Sequence, residues 1–112
     1  MQIQLTTTGA RSGEPRPVTL YAWEDGERLV IVGSRGGSAR HPAWVHNLRA
    51  MPRATMTRGR KSIEVTATEV TDPRERARLW QLVVGRFSLY ATYQGRTARQ
   101  IPLFVLEDSR PD

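Results

Sequence analysis

Three segments of this 112-residue chain gather side chains that could do chemistry. The first is LTTTGARSGEPR, Leu5 to Arg16. Backbone N–H groups freed by Gly9 and Gly13, the hydroxyls of Thr6–Thr8 and Ser12, and the forks of Arg11 and Arg16 could together cradle an anion. The Gly-x4-Gly-Lys-Ser/Thr spacing of a P-loop is absent, and a plain polar loop of turn residues fits the same composition. The second is SRGGSARHPAWVHNL, Ser34 to Leu48. Here a buried strand runs through a Gly-Gly turn into a helix N-terminus, which offers backbone donors and the positive end of a dipole to an anion. Arg35 and Arg40 add charge from the same loop; alternatively Gly36-Gly37 only makes the turn and His41 caps the helix. The third is FSLYATY, Phe87 to Tyr93, with an aromatic residue at every third position. These rings could wall an apolar pocket for a flat molecule, with phenol hydroxyls as donors. Phe87 also continues the stripe of Trp80 and Val83, which places it in the core. Arg96-Thr97-Ala98-Arg99 follows, as surface charge or as a second anion contact.

Other chemistries find no support. Zero cysteines exclude disulfides, thiolate chemistry and Cys-based zinc sites, and they suit a cytoplasmic protein. His41 and His46 stand five apart, off a common helical face, with no carboxylate cluster beside them, so no metal site is expected. There is no Gly-x-Ser-x-Gly elbow and no carboxylate pair poised for glycoside chemistry.

The elements that must position these segments are legible from periodicity. Residues 16–23 alternate, with Val18, Leu20 and Ala22 on one face and Thr19, Tyr21 and Trp23 on the other, which predicts a strand. Asp25-Gly26 predicts a hairpin turn of type I′, and Leu29–Val32 a more buried return strand. Arg53–Arg58 and Lys61–Val70 alternate about a turn at Gly59, and Ile101–Leu106 reads as a last strand. This pattern fits antiparallel strands with one wet face. Pro42 opens a short helix to about Ala50, ended by Met51-Pro52. Asp72-Pro73-Arg74-Glu75 has the cap, proline and acid of a second helix start. The order strand-strand-helix-strand-strand-helix-strand predicts one α+β domain over residues 1–112, a small barrel or curled sheet.

Charge is uneven. The net formal charge is +6. Residues 28–61 hold eight bases and no acid; the remainder holds nine bases against all eleven acids. Every base except Lys61 is arginine, whose planar fork suits phosphate and carboxylate. A basic stripe is also the footprint of a nucleic-acid-binding domain, but here the aromatics do not interleave with the arginines. No apolar run approaches the roughly 18 residues of a membrane span, and Met1–Gln4 does not begin a secretory signal.

Taken together, residues 5–16, 34–48, 51–54 (MPRA) and 90–106 (YATYQGRTARQIPLFVL) resemble the deazaflavin-dependent nitroreductase family, in family order and over nearly the whole chain. The resemblance implies a split β-barrel, mostly antiparallel and six-stranded, with two or three short helices. It implies coenzyme F-420 as cofactor, a deazaflavin carrying a phosphodiester and an oligoglutamate tail, and that polyanion would explain the arginines. Arg11, Ser12, Gly13 and Arg16 would hold the phosphate and tail. Ser34, Arg35, Gly36, Gly37, Ala39, Arg40, His41, Pro42 and Trp44 would shape the cofactor cleft, and Asn47 would orient its loop. Tyr21, Ser34, Tyr90 and Tyr93 would face ring and substrate. Ala10 stands where relatives are often basic, and Phe87 where some carry tyrosine. The implied reaction is hydride transfer from reduced F-420 to a small apolar acceptor such as a quinone, enone or nitroaromatic. An FMN-binding split barrel is the alternative. The family's N-terminal helix, which in relatives covers the substrate site or touches membrane, has no counterpart in this sequence. The resemblance further implies a cytoplasmic or membrane-peripheral protein, a monomer or weak homodimer, with no nucleic-acid partner.

Overall fold

The computed structural model describes residues 1–110. Seven strands form one antiparallel sheet: β1 (Gln2–Thr8), β2 (Pro15–Tyr21), β3 (Trp23–Asp25), β4 (Arg28–Val32), β5 (Arg53–Arg58), β6 (Lys61–Glu69) and β7 (Leu103–Asp108). Their spatial order is β2-β1-β5-β6-β7-β4-β3. Three helices are added: α1 (Ala43–Ala50), α2 (Pro73–Arg86) and α3 (Leu89–Gly95).

The two edge strands, β2 and β3, are joined by Ala22 alone. Two Cα–Cα steps span at most about 7.6 Å, so the sheet must curl until its edges meet at this residue. Ala22 is fully buried there; its N–H donates to the Met1 carbonyl at 2.7 Å, and its carbonyl accepts from the Met1 amino group at 2.8 Å. The expected single strand over 16–23 is therefore two strands that change partner, from β1 to β4, at a bend. That split, together with β1, takes the five strands read from periodicity to seven, where the resemblance implied six.

β1 is a strand that the reading of residues 5–16 as a loop did not anticipate. Ile3 and Leu5 face inward with Thr7, while Gln2 and Gln4 face solvent. The β3–β4 turn also differs from expectation. Its two loop residues are Gly26 and Glu27, and only Gly26 has positive φ (+62°), the pattern of a type II′ turn.

Helix α1 plugs the barrel. Trp44, Val45 and Leu48 pack on Ile3, Leu5, Ile31, Val65 and Phe104. It starts one residue later than predicted, with Pro42 as N-cap. Helix α2 starts as predicted: the Asp72 carboxylate accepts from the Glu75 N–H at 3.0 Å, a cap worth about 1 kcal/mol. Leu79 and Val83 of α2 and Tyr90 of α3 cover the outer face of β4 and β7, against Val30, Val32, Leu103 and Val105. β4 and β7 are thus buried on both faces, and the expectation of one wet face fails for them. Their apolar runs reflect that double burial.

Candidate functional site

The site is a cleft along the open edge of β2. Its first part, about 760 Å³, lies between the β1–β2 loop and α1. The loop is tied back by Gly9 N–H to Glu14 O at 2.8 Å and Gly13 N–H to Gly9 O at 2.9 Å, with Gly13 at φ +71°. Ser12 Oγ accepts from Glu14 N–H and from the Arg16 guanidinium, each at 3.2 Å. Arg11, Ser12 and Arg16 line this part, facing Ala43 and Trp44 in the first turn of α1. No side chain caps that turn and no acid occupies it; Val45 N–H turns back to the Pro42 carbonyl at 3.0 Å, which leaves the Ala43 and Trp44 N–H groups available to an anion. Asn47 joins helix and loop: its Oδ1 accepts from Ala10 N–H at 2.9 Å and its Nδ2 donates to Thr7 Oγ1 at 3.0 Å.

Trp44 also lines the second part, about 330 Å³. Tyr21 from β2, Ser34, Arg35 and Gly36 from the loop after β4, Pro42, and Phe87, Tyr90 and Tyr93 around α3 form its walls. The rings are contiguous. Phe87 meets Tyr90 edge-on at 4.9 Å, Tyr90 meets Tyr93 at 6.4 Å, and Trp23 touches both Tyr90 and Tyr21. Trp23 Nε1–H donates to Tyr90 Oη at 2.9 Å. Burial raises the Tyr90 pKa above its ordinary value, so the phenol keeps its own proton at neutral pH. Tyr21, at 59% exposure, stands at the mouth.

The loop between β4 and α1 carries three successive positive φ values: Arg35 +43°, Gly36 +61° and Gly37 +84°. For Arg35, a residue with a Cβ, that conformation is strained by about 1–3 kcal/mol and must be held from outside. A Cβ on Gly37 would sit 2.7 Å from the Tyr93 carbonyl, so only glycine permits α3 to approach this closely.

Of the residues expected at the site, Arg11, Ser12, Arg16, Ser34, Arg35, Gly36, Pro42, Trp44, Tyr21, Tyr90 and Tyr93 line the cleft. Gly13, Gly37, Ala39, Arg40 and His41 do not. Gly13 lines a separate groove beside Arg53 and Met51, and Gly37 is buried under α3. His41 does not cap α1; its Nδ1 receives the Arg99 guanidinium at 3.0 Å. Phe87, read from its periodicity as core, packs against the cluster of Leu79, Val83 and Tyr90 and also forms a wall of the cleft. Arg99 is neither surface charge nor an anion contact: its donors are turned onto the Ser34 loop. The central excess of charge also disperses. Arg28 pairs with Asp25 and Glu75, Arg49 pairs with Glu69, and Arg58, Arg60 and Lys61 sit at the β5–β6 turn. Of the central basic stretch only Arg35 lines the cleft, where it joins Arg11 and Arg16 from the β1–β2 segment.

A profile of the F420H(2)-dependent quinone reductase family matches residues 1–108. The chain belongs to this family. An F420H(2)-dependent quinone reductase of Mycobacterium tuberculosis is 45% identical over 105 residues, covering 91% of this chain and 70% of the relative. Among solved structures, the F420-H2 dependent reductase FDR-A superposes with a TM-score of 0.83 at 38% identity, over 95% of this chain and 93% of that one. A structure described as a domain-swapped dimer superposes at 0.84 and 38% identity, over 95% of this chain and 79% of that one. The superposition with FDR-A over 95% of this chain fits the curled split-barrel sheet described above.

Proposed function

We propose that the protein is an oxidoreductase that passes a hydride from reduced coenzyme F-420 to a quinone-class acceptor. The observation that carries this reading is that one cleft changes character along its length. Its loop end presents two guanidinium groups, a hydroxyl and an uncapped helix turn; past Trp44 it becomes aromatic. From Arg16 to Tyr21 the β2 edge runs about 17 Å at 3.3–3.4 Å per residue. That length and polarity fit a cofactor with a flat ring at one end and an anionic chain at the other. FMN, with a single phosphate and no oligoanionic tail, gives less reason for both Arg11 and Arg16.

When bound, reduced F-420 supplies the hydride, carried on its ring carbon. Arg11, Ser12 and Arg16 bind the anionic chain with charge-assisted hydrogen bonds. Trp44, Pro42 and the Ser34–Gly36 segment shape the ring end. Tyr21, Tyr90, Tyr93 and Phe87 exclude water and give the acceptor an apolar wall. The acceptor takes up a proton after the hydride. Tyr90 Oη holds a proton at neutral pH, and Ser34 and Tyr93 present further hydroxyls. The test is direct: purified protein is titrated with F-420 and with FMN, and quinone reduction is followed by absorbance. Failure to bind F-420 overturns the reading, and preferential binding of FMN moves it to the flavin alternative.

The acceptor's chemistry bears on where the protein works, and we place a membrane-facing edge at the cleft mouth. β1 pairs Gln2 with Tyr21 on one side and Gln4 with Thr57 on the other. Continuing that register puts the Arg58–Lys61 turn two strands from Tyr21, about 10 Å away. Three cations and an exposed tyrosine beside an apolar pocket suit a cytoplasmic protein that docks transiently on an anionic bilayer.

A further inference from the structure

Arg99 sits outside the cleft's functional inventory, yet it makes the densest set of polar contacts in the molecule around the reaction end. Its Nε donates to Ser38 O at 2.8 Å, one terminal nitrogen to Gly33 O at 3.0 Å, and the other to Ser34 O at 2.8 Å. The nitrogen bound to Gly33 also lies 3.0 Å from His41 Nδ1. A guanidinium only donates, so His41 Nδ1 must be the accepting, unprotonated nitrogen and its proton resides on Nε2. Four contacts thus span residues 33–41, both flanks of the positive-φ run at Arg35–Gly37. Arg99 is itself fixed: Gln94 Nε2 donates to the Arg99 carbonyl at 2.7 Å, and Gln94 Oε1 accepts from Ile101 N–H at 2.9 Å. Gln94 lies on α3, one residue from Tyr93 and four from Tyr90. One guanidinium therefore ties the loop wall of the aromatic cleft to the helix that carries its tyrosines.

We propose that Arg99 is a positioning residue of the reaction site: it holds the strained Ser34–Gly37 segment in the shape that the ring end of the cleft requires. This rests on the functional reading above and deepens it. The planar fork is what the task demands, because carbonyls on opposite flanks of the loop must be reached at once. A lysine ammonium, a compact point donor, cannot span Ser38 O and Ser34 O together.

The experiment uses Arg99→Lys, with Gln94→Glu as a milder release that keeps the acceptor for Ile101 but loses the donor to Arg99. Amide hydrogen exchange on the cofactor-free protein reads the clamp without reference to activity. Gly37 N–H, bonded to Ser34 O, and Ser38 N–H, bonded to Arg35 O, should exchange at least tenfold faster in both variants, while Leu103–Leu106 keep their protection. F-420 affinity should fall about tenfold or more and kcat should fall with it, while KM for the quinone changes less than threefold. Unchanged exchange at Gly37 and Ser38 overturns the proposal. So does acceleration spread evenly over β4 and β7, which marks a merely structural arginine. A wild-type protein that does not bind F-420 overturns the functional reading instead, and the exchange result still decides the clamp.

Discussion

Asn47 and Thr7 meet 3.0 Å apart in the interior, and through that contact α1 is bolted to the strand that leads into the β1–β2 loop. The same amide receives Ala10 N–H, so both ends of one buried side chain are committed. Replacing Asn47 with alanine leaves Thr7 Oγ1 and Ala10 N–H short of a partner. The cost should be about 1–3 kcal/mol of stability. Denaturant unfolding checks this, and F-420 affinity should drop with it as the Arg11 loop loosens. Unchanged affinity in a folded variant separates the loop from cofactor binding.

Arg11 and Arg16 face the same part of the cleft from two sides of one hairpin. Each single alanine variant should weaken F-420 by about 1.5–3 kcal/mol, the range for hydrogen bonds to charged groups. The double variant should also flatten the salt dependence of Kd. A Kd that is unmoved in both single variants removes these residues from the binding site.

Tyr90→Phe deletes the acceptor of Trp23 Nε1–H and the phenol proton together, while keeping the ring contact to Phe87. Stability should fall by about 1 kcal/mol. If Tyr90 supplies the proton, kcat should fall with little change in F-420 Kd. A kcat equal to wild type assigns the proton to water or to another hydroxyl.

Burial first, and then the charges of Arg49, Arg99 and His46, lower the His41 pKa below its ordinary 6.5. The unfolded chain therefore takes up this proton at higher pH than the folded one. The stability contribution is complete above about pH 6.5 and is lost as pH falls toward the folded value. Glu69 faces His41 and raises its pKa, but its own pKa is lowered from 4.5, so it contributes to the pH dependence only further down. Unfolding midpoints at pH 8 and pH 5.5 should differ in wild type. His41→Asn, which keeps an acceptor for Arg99 and has no proton to gain, should narrow that difference.

The turn bearing Arg58, Arg60 and Lys61 gives the membrane reading its own check. Sedimentation with vesicles containing anionic phospholipid should retain the protein at low salt and release it as ionic strength rises. Changing all three residues to serine should abolish retention. Equal binding to neutral vesicles moves the contact to the apolar mouth.

Much of the frame was legible because burial and periodicity coincide. Val65 and Ala67 face inward while Glu64 and Thr68 face water, and Asp72 caps α2 as its spacing announces. β1 escaped notice because Thr7 is one of its inward residues, so a buried threonine masked the alternation begun by Ile3 and Leu5. α3 has only seven residues, and Ser88 makes no capping hydrogen bond, so it carries no start signal. At the site, the arginines and aromatic residues that line the cleft announce themselves by type. Arg99 does not: its role is set by carbonyls more than sixty residues away, and an arginine among arginines has no local signature. Phe87 was half legible: it packs on the outer core as its helical spacing announces, but spacing does not say that its other side also walls the cleft.

Ala22 makes β2 and β3 a single beam. One end of that beam borders the cleft, and the other ends at Asp25, whose carboxylate is gripped by Arg28 and by Arg78 on α2. A ligand seated along β2 therefore loads the same covalent stave that anchors the outer helix. Saturation should quiet α2 as well as the cleft, and fraying at the first turns of α2 should be felt as play in the binding edge.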